Sequence, residues 1–561
     1  MLDLHCGTQP QTFFQPRLHI CCEPRGACVH VLQQRFAESP HVVVLPGEAL
    51  HIARLLPDRS VDTIFLSDTL QVLTKAEGYA LLKECARIAR QQIILRCGPT
   101  IPGESLIGSP TDASARDASE FEEQWRVFRK TGDGSTFWAI RDLPVRATFS
   151  LPMKVAVLST VFPPNDSGQA IILGRLFRDV NEKDYVLISS RPWRDSVFPN
   201  GLGLPGLPGL DGAFHHLSPE IKVQWPRTRW GSWCNLLKAG LLVGRRVRRL
   251  IRILKQERCR AIIGCSGALY DLPVAYLAGR WLRIPFHAYL FDYYRYQFDI
   301  SISPTLDRMV ARYMERIFLR AATGIIVPNA GLQAEYRRRY GVEAIVIHNH
   351  YDDAIEDTPP VNWPASPPDI RIVYTGQIYQ AQFDALCNLI EALDRLRIPE
   401  ITLHLYTAQL PEEICPGWIC GPHVIFHPHV PSRQVVRIQR HADILFLPLA
   451  FHTPYPEIID TSLPTKTGEY LASGRPVLVH APPGAFVSRY CREHGCGVVV
   501  DEPDPGQVAT AIEWLISDEE LRARCVRNAR ECARTEFSLT SARERLVALL
   551  RASAPKGVDI L

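Results

Sequence analysis

Residues 441–480 carry the feature that most constrains the fold, in the sequence HADILFLPLAFHTPYPEIIDTSLPTKTGEYLASGRPVLVH. The apolar run from Asp443 to Pro448 predicts a buried strand, and an irregular acidic loop follows it. A helix is expected to open at Pro464, before a second strand from Pro476 to Val479. N–H groups at the start of such a helix attract phosphate, and Glu469, one turn in, can accept two adjacent ribose hydroxyls. The unit is therefore suited to a nucleotide diphosphate.

The same alternation of short apolar strands with amphipathic helical stretches runs along the chain and predicts parallel sheets covered by helices. Proline and glycine collect at residues 100–118, 201–212 and 356–368. We interpret the last segment as an interdomain linker and the second as a long surface loop. The predicted fold is α/β, with three Rossmann-like, doubly wound domains. Their predicted ranges are 1–148, 153–355 and 369–552, with the final helix packing back.

Composition excludes several classes of function. The 63 basic and 59 acidic residues of this 561-residue chain give a net charge of +4, which predicts no nucleic-acid partner. No apolar run approaches the ~18 residues that span a bilayer, and no secretory signal pattern opens the chain. We therefore expect a cytoplasmic protein. The 16 cysteines lack zinc-site spacing, which predicts reduced thiols and no metal.

The run ADILFLPL…SLPTKTGEYLASGRPVLVHAPPG resembles the donor-binding signature of GT-B-fold glycosyltransferases. The resemblance is to the large retaining family related to glycogen synthase and sucrose synthase. It implies that residues 153–355 form an acceptor domain and residues 369–552 a donor domain, with a catalytic cleft between them. The implied activity is transfer of a sugar from a UDP- or GDP-type nucleotide sugar to a glycan or lipid-linked acceptor. Retention, no required cofactor and a role in polysaccharide biosynthesis are also implied.

The resemblance places the ribose-binding glutamate at Glu469. Its usual partner acid is missing, since Thr461 stands eight positions earlier, so Asp460 or Glu457 would have to reach the sugar. Either acid is equally well explained as a solvated loop residue. Lys466 could hold a phosphate as a point charge, or be a surface lysine.

The segment after the first strand of the donor domain, YTGQIYQAQFD, lacks the arginine and lysine that many relatives place there. Stabilisation of the leaving diphosphate must then come from Lys466, from helix N-termini or from a basic residue across the cleft. Backbone groups near His429 and Val430 are expected to contact the base, and the loop before Gln169 to cradle phosphate or sugar. A turn or a plain helix cap is the alternative at both places. The donor-binding candidates are Glu469, Lys466, Pro464, Gly376, Gln377, His429, Val430, Ser167 and Gly168.

On the acceptor side, the strand PFHAYLFDYY places His287 and Asp292 toward its carboxyl end. In relatives, a histidine or an aspartate in this region lies near the reacting sugar, where it could orient or deprotonate an acceptor hydroxyl. For His287, a satisfied histidine within a strand is an equally good explanation. The catalytic candidates are Asp292, His287 and Asp460.

The first domain resembles class I methyltransferases, which bind S-adenosylmethionine, in the runs LDLHCGTQP and HICCEPRG. Asp3, Gly7 and Glu23 match the family's cofactor positions. His5 and Gln9 stand where the family prefers glycine, so a bulky side chain is expected to obstruct the cofactor. A relic fold used for packing or partner binding is the favoured interpretation, and S-adenosylmethionine binding is the alternative.

Residues 238–255, KAGLLVGRRVRRLIRILK, interleave seven cations with apolar residues. This pattern is typical of a helix that lies on an acidic membrane surface, which would make the protein peripheral at the inner face of the membrane. A domain-surface helix with its apolar stripe in the core is the slightly favoured alternative. For the whole chain, two further hypotheses remain: a bifunctional methyltransferase and glycosyltransferase, or a non-catalytic scaffold of decayed nucleotide folds.

Overall fold

A computed structural model describes the chain except for residues 98–125, 131–136, 143–148, 191–209, 218–228, 295–304, 353–369, 555–561 and gaps of at most four residues. The predicted linker and the loop at 201–212 lie largely outside the described residues. The chain divides into two compact units. The first comprises residues 1–150 with 178–182 and 194–213, and the second comprises the rest.

The first unit is built on a seven-stranded sheet with the order β3-β2-β1-β4-β5-β7-β6. Strands β1 to β5 pair in parallel, and β7 lies antiparallel between β5 and β6. The strands are β1 (Leu2–Leu4), β2 (His19–Glu23), β3 (Val42–Pro46), β4 (Val61–Ser67), β5 (Ala89–Cys97), β6 (Arg126–Lys130) and β7 (Phe137–Asp142). The helices are α1 (Gly26–Arg35), α2 (Ala49–Leu55), α3 (Lys75–Ile88) and a 3-10 turn at Thr69–Val72.

The second unit holds two sheets, and the second sheet of the chain has the order β10-β9-β8-β11-β12-β13-β14. Strands β9, β8, β11, β12, β13 and β14 pair in parallel in that spatial order. All of them except the half-buried edge strand β14 are almost wholly buried, as expected of a sheet covered on both faces. The strands are β8 (Val155–Leu158), β9 (Tyr185–Ser189), β10 (Ala213–His216), β11 (Ala261–Cys265), β12 (Phe286–Tyr289), β13 (Gly324–Val327) and β14 (Ile345–Val346). The helices are α4 (Gly168–Phe177), α5 (Arg229–Gln256), α6 (Asp271–Leu282), α7 (Thr305–Ala321), α8 (Ala330–Tyr340) and a 3-10 turn at Glu182–Asp184.

The third sheet is six-stranded and parallel, with the order β17-β16-β15-β18-β19-β20. Its strands are β15 (Ile370–Thr375), β16 (Ile401–Tyr406), β17 (Val424–His427), β18 (Ile444–Pro448), β19 (Val477–His480) and β20 (Val498–Val500). The helices are α9 (Phe383–Leu396), α10 (Ser432–His441), α11 (Pro456–Thr461), α12 (Thr467–Ala472), α13 (Phe486–His494), α14 (Pro505–Ser517), α15 (Glu519–Cys532), a π-helical turn at Ala533–Phe537, and α16 (Leu539–Ala552). The α/β class with three Rossmann-like sheets is confirmed.

The segment between β18 and β19 differs from the sequence prediction. The expected irregular loop contains the short helix α11, and α12 begins at Thr467 rather than at Pro464. A turn, closed by the Thr467 N–H on the Pro464 carbonyl at 2.9 Å, precedes α12. Proline is favourable at the first position of a helix, where Pro456 stands, and the burial of Ile459 offsets the lower helix propensity of the β-branched residues.

The final helix, α16, returns to the elements of the second sheet. The Arg543 guanidinium donates to the carbonyls of Arg175 and Leu176 at the end of α4, both at 3.2 Å. Arg545 donates to the Val346 carbonyl at 2.8 Å. The Arg543 cation thus satisfies carbonyls that α4 leaves unpaired at its C-terminus. The contacts of α16 therefore support the end of α4. The domain boundaries given above remain predictions.

Helix α5 buries its apolar stripe, because Leu250, Ile253 and Leu254 lie in the core of the second sheet. One of its arginines is also buried. Arg246 is 3% exposed and pairs with the fully buried Asp271 at 2.7 Å, and Thr160 donates to the same carboxylate at 3.1 Å. None of the helices in the described part of the chain combines the length and the apolar composition that a membrane-spanning helix needs.

We predict that Asp271→Ala lowers the thermal unfolding midpoint by roughly 10 °C, since it leaves the Arg246 charge buried without its partner, at a cost of about 3–5 kcal/mol. Differential scanning calorimetry measures this. Glu391→Ala, which removes an exposed partner of Arg395, is the control and should shift the midpoint by less than about 2 °C. Equal shifts in the two variants would contradict the importance of the buried pair.

Candidate functional site

Glu469 lies on α12, beside the carboxyl end of β15, and both of its carboxylate oxygens are engaged. Oε1 accepts from the Arg175 guanidinium, and Oε2 accepts from the Gln439 side-chain amide at 3.0 Å. The glutamate side chain is 14% exposed. A carboxylate this far removed from water needs charged or hydrogen-bonding partners, and these two supply them.

Arg175 reaches Glu469 from α4, an element of the second sheet. Its guanidinium also donates to the His350 carbonyl at 2.9 Å. The sequence offered a basic residue across the cleft as one of three ways to stabilise the leaving diphosphate, and it identified neither Arg175 nor Gln439. No local signal marks either residue, because each lies in an ordinary amphipathic helix. Arg175 is 294 positions away from the carboxylate that it binds.

Gln439 links Glu469 to the end of β15. Its amide nitrogen lies 3.0 Å from Glu469 Oε2 and 3.2 Å from Thr375 Oγ1. The Thr375 N–H in turn donates to the hydroxyl of Tyr470, on α12, at 3.0 Å. The strand end, α10 and α12 therefore share one buried polar network, which holds Glu469 in a single orientation.

Lys466 precedes α12, and its side chain lies over the end of β15 and the loop that follows it. Its Nζ lies 3.6 Å from the centre of the Tyr374 ring, a cation–π contact. The backbone φ of Gly376 is +114°, which favours glycine, and a Cβ there would lie 3.2 Å from the same Nζ. Burial lowers the pKa of Lys466 to about 7, although attraction to Glu469 opposes that shift.

The remaining donor-binding candidates differ in what they can offer. The Gly376 N–H is already used, since it donates to the Tyr406 carbonyl at 2.9 Å. Gln377 is exposed, and its carbonyl accepts from the Tyr374 hydroxyl at 2.6 Å. Val430 is half-buried ahead of α10, whereas His429 lies outside the described residues.

The loop before α4 meets the segment before α12. A Cβ on Gly168 would lie 2.6 Å from Thr465 Oγ1, so only a glycine permits this approach. Pro464, next to Thr465, is half-buried. Ser167 is exposed and caps α4, because its hydroxyl accepts from the Ala170 N–H at 3.4 Å. The structure thus brings together Ser167, Gly168, Pro464 and Lys466, which are far apart in sequence.

Asp292 follows β12 and is exposed to solvent, yet the protein around it raises the pKa of its carboxyl group. Desolvation by the surrounding protein raises the pKa of Tyr379, in the loop after β15; a hydrogen bond with Gln382 opposes this shift, and the Asp292 charge adds to it. Asp292 therefore lies close enough to the end of β15 to act electrostatically on it. Such a partly desolvated carboxylate suits proton transfer.

His287 occupies a different environment, inside β12. It is fully buried, its Nε2 lies 3.2 Å from Ser553 Oγ, and its Nδ1 lies 2.8 Å from where a Cβ on Gly324 would be. Burial lowers the pKa of His287 to about 4, so its ring is neutral at pH 7. These contacts belong to the packing of the chain after α16 against the second sheet.

Asp460 is exposed on α11, and its Oδ1 lies 3.0 Å from where a Cβ on Gly484 would be. The next carbonyl, of Thr461, accepts from the Asn329 amide at 2.8 Å. Asp460 thus lies near the loop before α13, and the side chain of Glu457 is outside the described residues. Within the described ranges, no group of three or more His, Cys, Asp or Glu side chains is placed to hold a metal ion.

In the first unit, the residues matched to a methyltransferase cofactor site bond to one another. Glu23 is fully buried, and its two oxygens accept from the Gly7 N–H at 2.8 Å and from Arg25 Nε at 2.6 Å. Asp3 is also buried and accepts from the Gln11 N–H at 2.8 Å. His5 adopts a positive φ of 57° in the loop. Both oxygens of Glu23, the acid matched to the ribose, already accept hydrogen bonds from Gly7 and Arg25, and the loop carries His5 in place of glycine, so these residues do not favour S-adenosylmethionine.

Comparison with known proteins bears on the second unit. Residues 372–532, which include Lys466, Glu469 and the end of β15, match the family model described as Glycosyl transferases group 1. The chain has a GT-B fold, and its residues 372–532 are similar to the group 1 glycosyl transferases. No curated protein matches its sequence.

Two solved structures share this fold. Sucrose-phosphate synthase from Thermosynechococcus elongatus is 15% identical, with a TM-score of 0.52, over 71% of this chain and 98% of that one. A glycosyltransferase from Rickettsia africae is 12% identical, with a TM-score of 0.50, over 72% of this chain and 99% of that one.

We predict that Arg175 and Glu469 are energetically coupled. In a double-mutant cycle with Arg175→Met and Glu469→Gln, the two changes together should destabilise the protein less than the sum of the single changes, by about 1–3 kcal/mol. Urea unfolding measures the four proteins. The exposed pair Arg337 and Glu343 provides the control cycle, with an expected coupling below about 1 kcal/mol. Strict additivity at Arg175 and Glu469 would contradict the structural pairing.

Proposed function

We propose that this glycosyltransferase takes its sugar from a UDP- or GDP-type nucleotide sugar and transfers it, with retention, to a hydroxyl of a glycan or lipid-linked acceptor. The observation that carries the proposal is the placement of Glu469 and Lys466 side by side at the carboxyl end of β15. Ligands of parallel sheets bind at such ends. In this proposal the donor domain is residues 369–552 and the acceptor domain is residues 153–355.

In the proposed mechanism, Glu469 accepts hydrogen bonds from the ribose hydroxyls while Arg175 and Gln439 hold its carboxylate in a fixed orientation. Lys466 lies over the loop that lacks the usual basic pair, and there its ammonium group stabilises the leaving diphosphate. The arriving phosphate raises the pKa of Lys466 and converts the amine to its cation. Because this cation supplies the compensating charge, the proposed reaction requires no metal.

Asp292 is the proposed residue that orients or deprotonates the acceptor hydroxyl. Its raised pKa and its electrostatic reach to Tyr379 support this role better than the buried environment of His287 supports one for that histidine. Asp460 remains a candidate for contact with the donor sugar. We propose the first unit, residues 1–148, as a relic methyltransferase-like fold that serves packing or partner binding.

A panel of nucleotide sugars scored by melting shift tests the proposed function. UDP- or GDP-type donors should stabilise the wild type. Glu469→Ala should lower the affinity for the best-binding donor by roughly 10- to 100-fold, since a charge-assisted hydrogen bond is lost. At pH 8, where Lys466 is mostly neutral, binding should take up a proton, and Lys466→Met should abolish that uptake. No shift with any nucleotide would favour the scaffold alternative instead.

We further propose that the middle of helix α5, within residues 238–255, contacts an acidic membrane on the acceptor side. Leu241 is 70% exposed there, and the side chains of Arg245, Arg248 and Arg249 are exposed one to two turns further on. Apolar side chains beside exposed cations give the charge pattern that anionic lipid attracts. Arg246 takes no part, because Asp271 holds it in the core.

Flotation with liposomes containing phosphatidylglycerol tests this contact. The triple change Arg245→Glu, Arg248→Glu and Arg249→Glu should reduce the bound fraction at least fivefold, since each basic residue contributes about 1 kcal/mol. A control with the same change of net charge elsewhere, Arg524→Glu, Arg527→Glu and Arg551→Glu, should retain binding. Equal flotation of the two variants would remove the membrane proposal.

A further inference from the structure

Three side chains form a row across neighbouring strands of the third sheet, at its carboxyl end. The parallel register pairs Thr375 of β15 with Tyr406 of β16, and Tyr406 with His427 of β17. Residues in register on adjacent strands point to the same face of the sheet. Tyr406 and His427 are the last residues of their strands, so their rings lie where this sheet is expected to hold its ligand.

The rings form an aromatic layer in which the two imidazoles lie side by side and the tyrosine ring stacks on one of them. His404 and His427 are joined by a hydrogen bond of 2.8 Å between Nδ1 and Nε2, and their planes differ by 10°. Two nitrogens this close cannot belong to rings stacked face to face, so the imidazoles lie side by side. The Tyr406 ring lies against His427, with centroids 4.1 Å apart and planes 6° apart. All three side chains are half-buried.

The layer is connected to the carboxylate proposed to bind ribose. Gln439 bonds both Glu469 and Thr375, and Thr375 is the register neighbour of Tyr406. Adjacent strands lie about 4.8 Å apart, so His427 is about 10 Å from Thr375 across the sheet. A nucleoside whose ribose hydroxyls bond Glu469 could therefore extend its base over Tyr406 and His427.

We propose that Tyr406, His404 and His427 form a stacking surface for the base of the donor nucleotide. The inference rests on the proposed function and adds residues to it. Uncharged imidazole and phenol rings offer π faces that stack on any base, and burial lowers the pKa of His427, which favours its neutral form. The layer supplies affinity for the base. Discrimination between bases is left to backbone groups around Val430.

This arrangement is not what an ordinary core requires at the edge of a sheet. An apolar side chain would fill the same space without the need to satisfy two imidazoles, which here bond each other and Thr402 Oγ1, at 2.9 Å from His404. The strand that carries His427 is the last of the sheet. Half-buried, stacked rings at this edge could extend their stack with a planar ligand.

The test compares the affinities of UDP, GDP and ADP with that of inorganic pyrophosphate, by calorimetry on the full chain. Tyr406→Leu and His427→Leu should each lower the affinity for the best-binding nucleotide about tenfold and leave the affinity for pyrophosphate unchanged, because only the base loses its partner. Tyr406→Phe and His427→Phe keep a flat ring and should retain most of the affinity. His423→Leu, at the opposite end of β17, is the matched control and should bind as the wild type does.

Each outcome is decisive. Unchanged nucleotide affinity in both leucine variants overturns the stacking surface while the proposed function stands. Equal loss of pyrophosphate and nucleotide also overturns it, since the variants would then disturb the diphosphate site. If the wild type binds pyrophosphate but no nucleotide, the proposed function fails and the stacking surface fails with it.

Discussion

The structure of the second unit depends on one carboxylate, that of Glu469, held between Arg175 and Gln439. An ionised carboxylate that is only 14% exposed is costly unless it is paired, and here α4 supplies the cation and α10 the amide. The same bonds join an element of the second sheet to elements of the third. Glu469 therefore joins elements of the second and third sheets, and in the proposed function it also presents a prepared acceptor to the ribose.

The surroundings of Glu469 follow from this placement. The Glu469 charge favours the protonated form of Lys466, but burial outweighs it and lowers the pKa of the lysine to about 7. In the proposed function, the lysine then takes up a proton when the anionic donor binds. Glycines at 376 and 168 make room for these approaches. The first unit shows the contrasting case. There Glu23 is equally well placed at a strand end, but it is fully buried and accepts three hydrogen bonds from Gly7 and Arg25, whereas Glu469 is partly exposed and accepts one on each oxygen.

Much of the fold could be predicted from local patterns, because apolar strands alternate regularly with amphipathic helices. The position of Glu469 beside Lys466 also followed from the strand, helix and strand of residues 441–480. What could not be predicted depends on distant contacts. Arg175 and Gln439 have no local signature, and neither does the burial of Arg246, since helical periodicity assigns arginines to the solvent face. The helix α11 was missed because it is only six residues long and contains several β-branched residues, so it has low intrinsic propensity and depends on packing.

The central claim is that Glu469 binds the ribose of a nucleotide donor. The most direct measurement compares the affinities of a nucleoside diphosphate and its 2′,3′-dideoxy analogue, for the wild type and for Glu469→Gln. The account predicts that loss of the two hydroxyls weakens binding to the wild type by roughly 10- to 100-fold and hardly changes binding to the variant. An equal loss in both proteins would show that the carboxylate does not contact the ribose and would contradict the account.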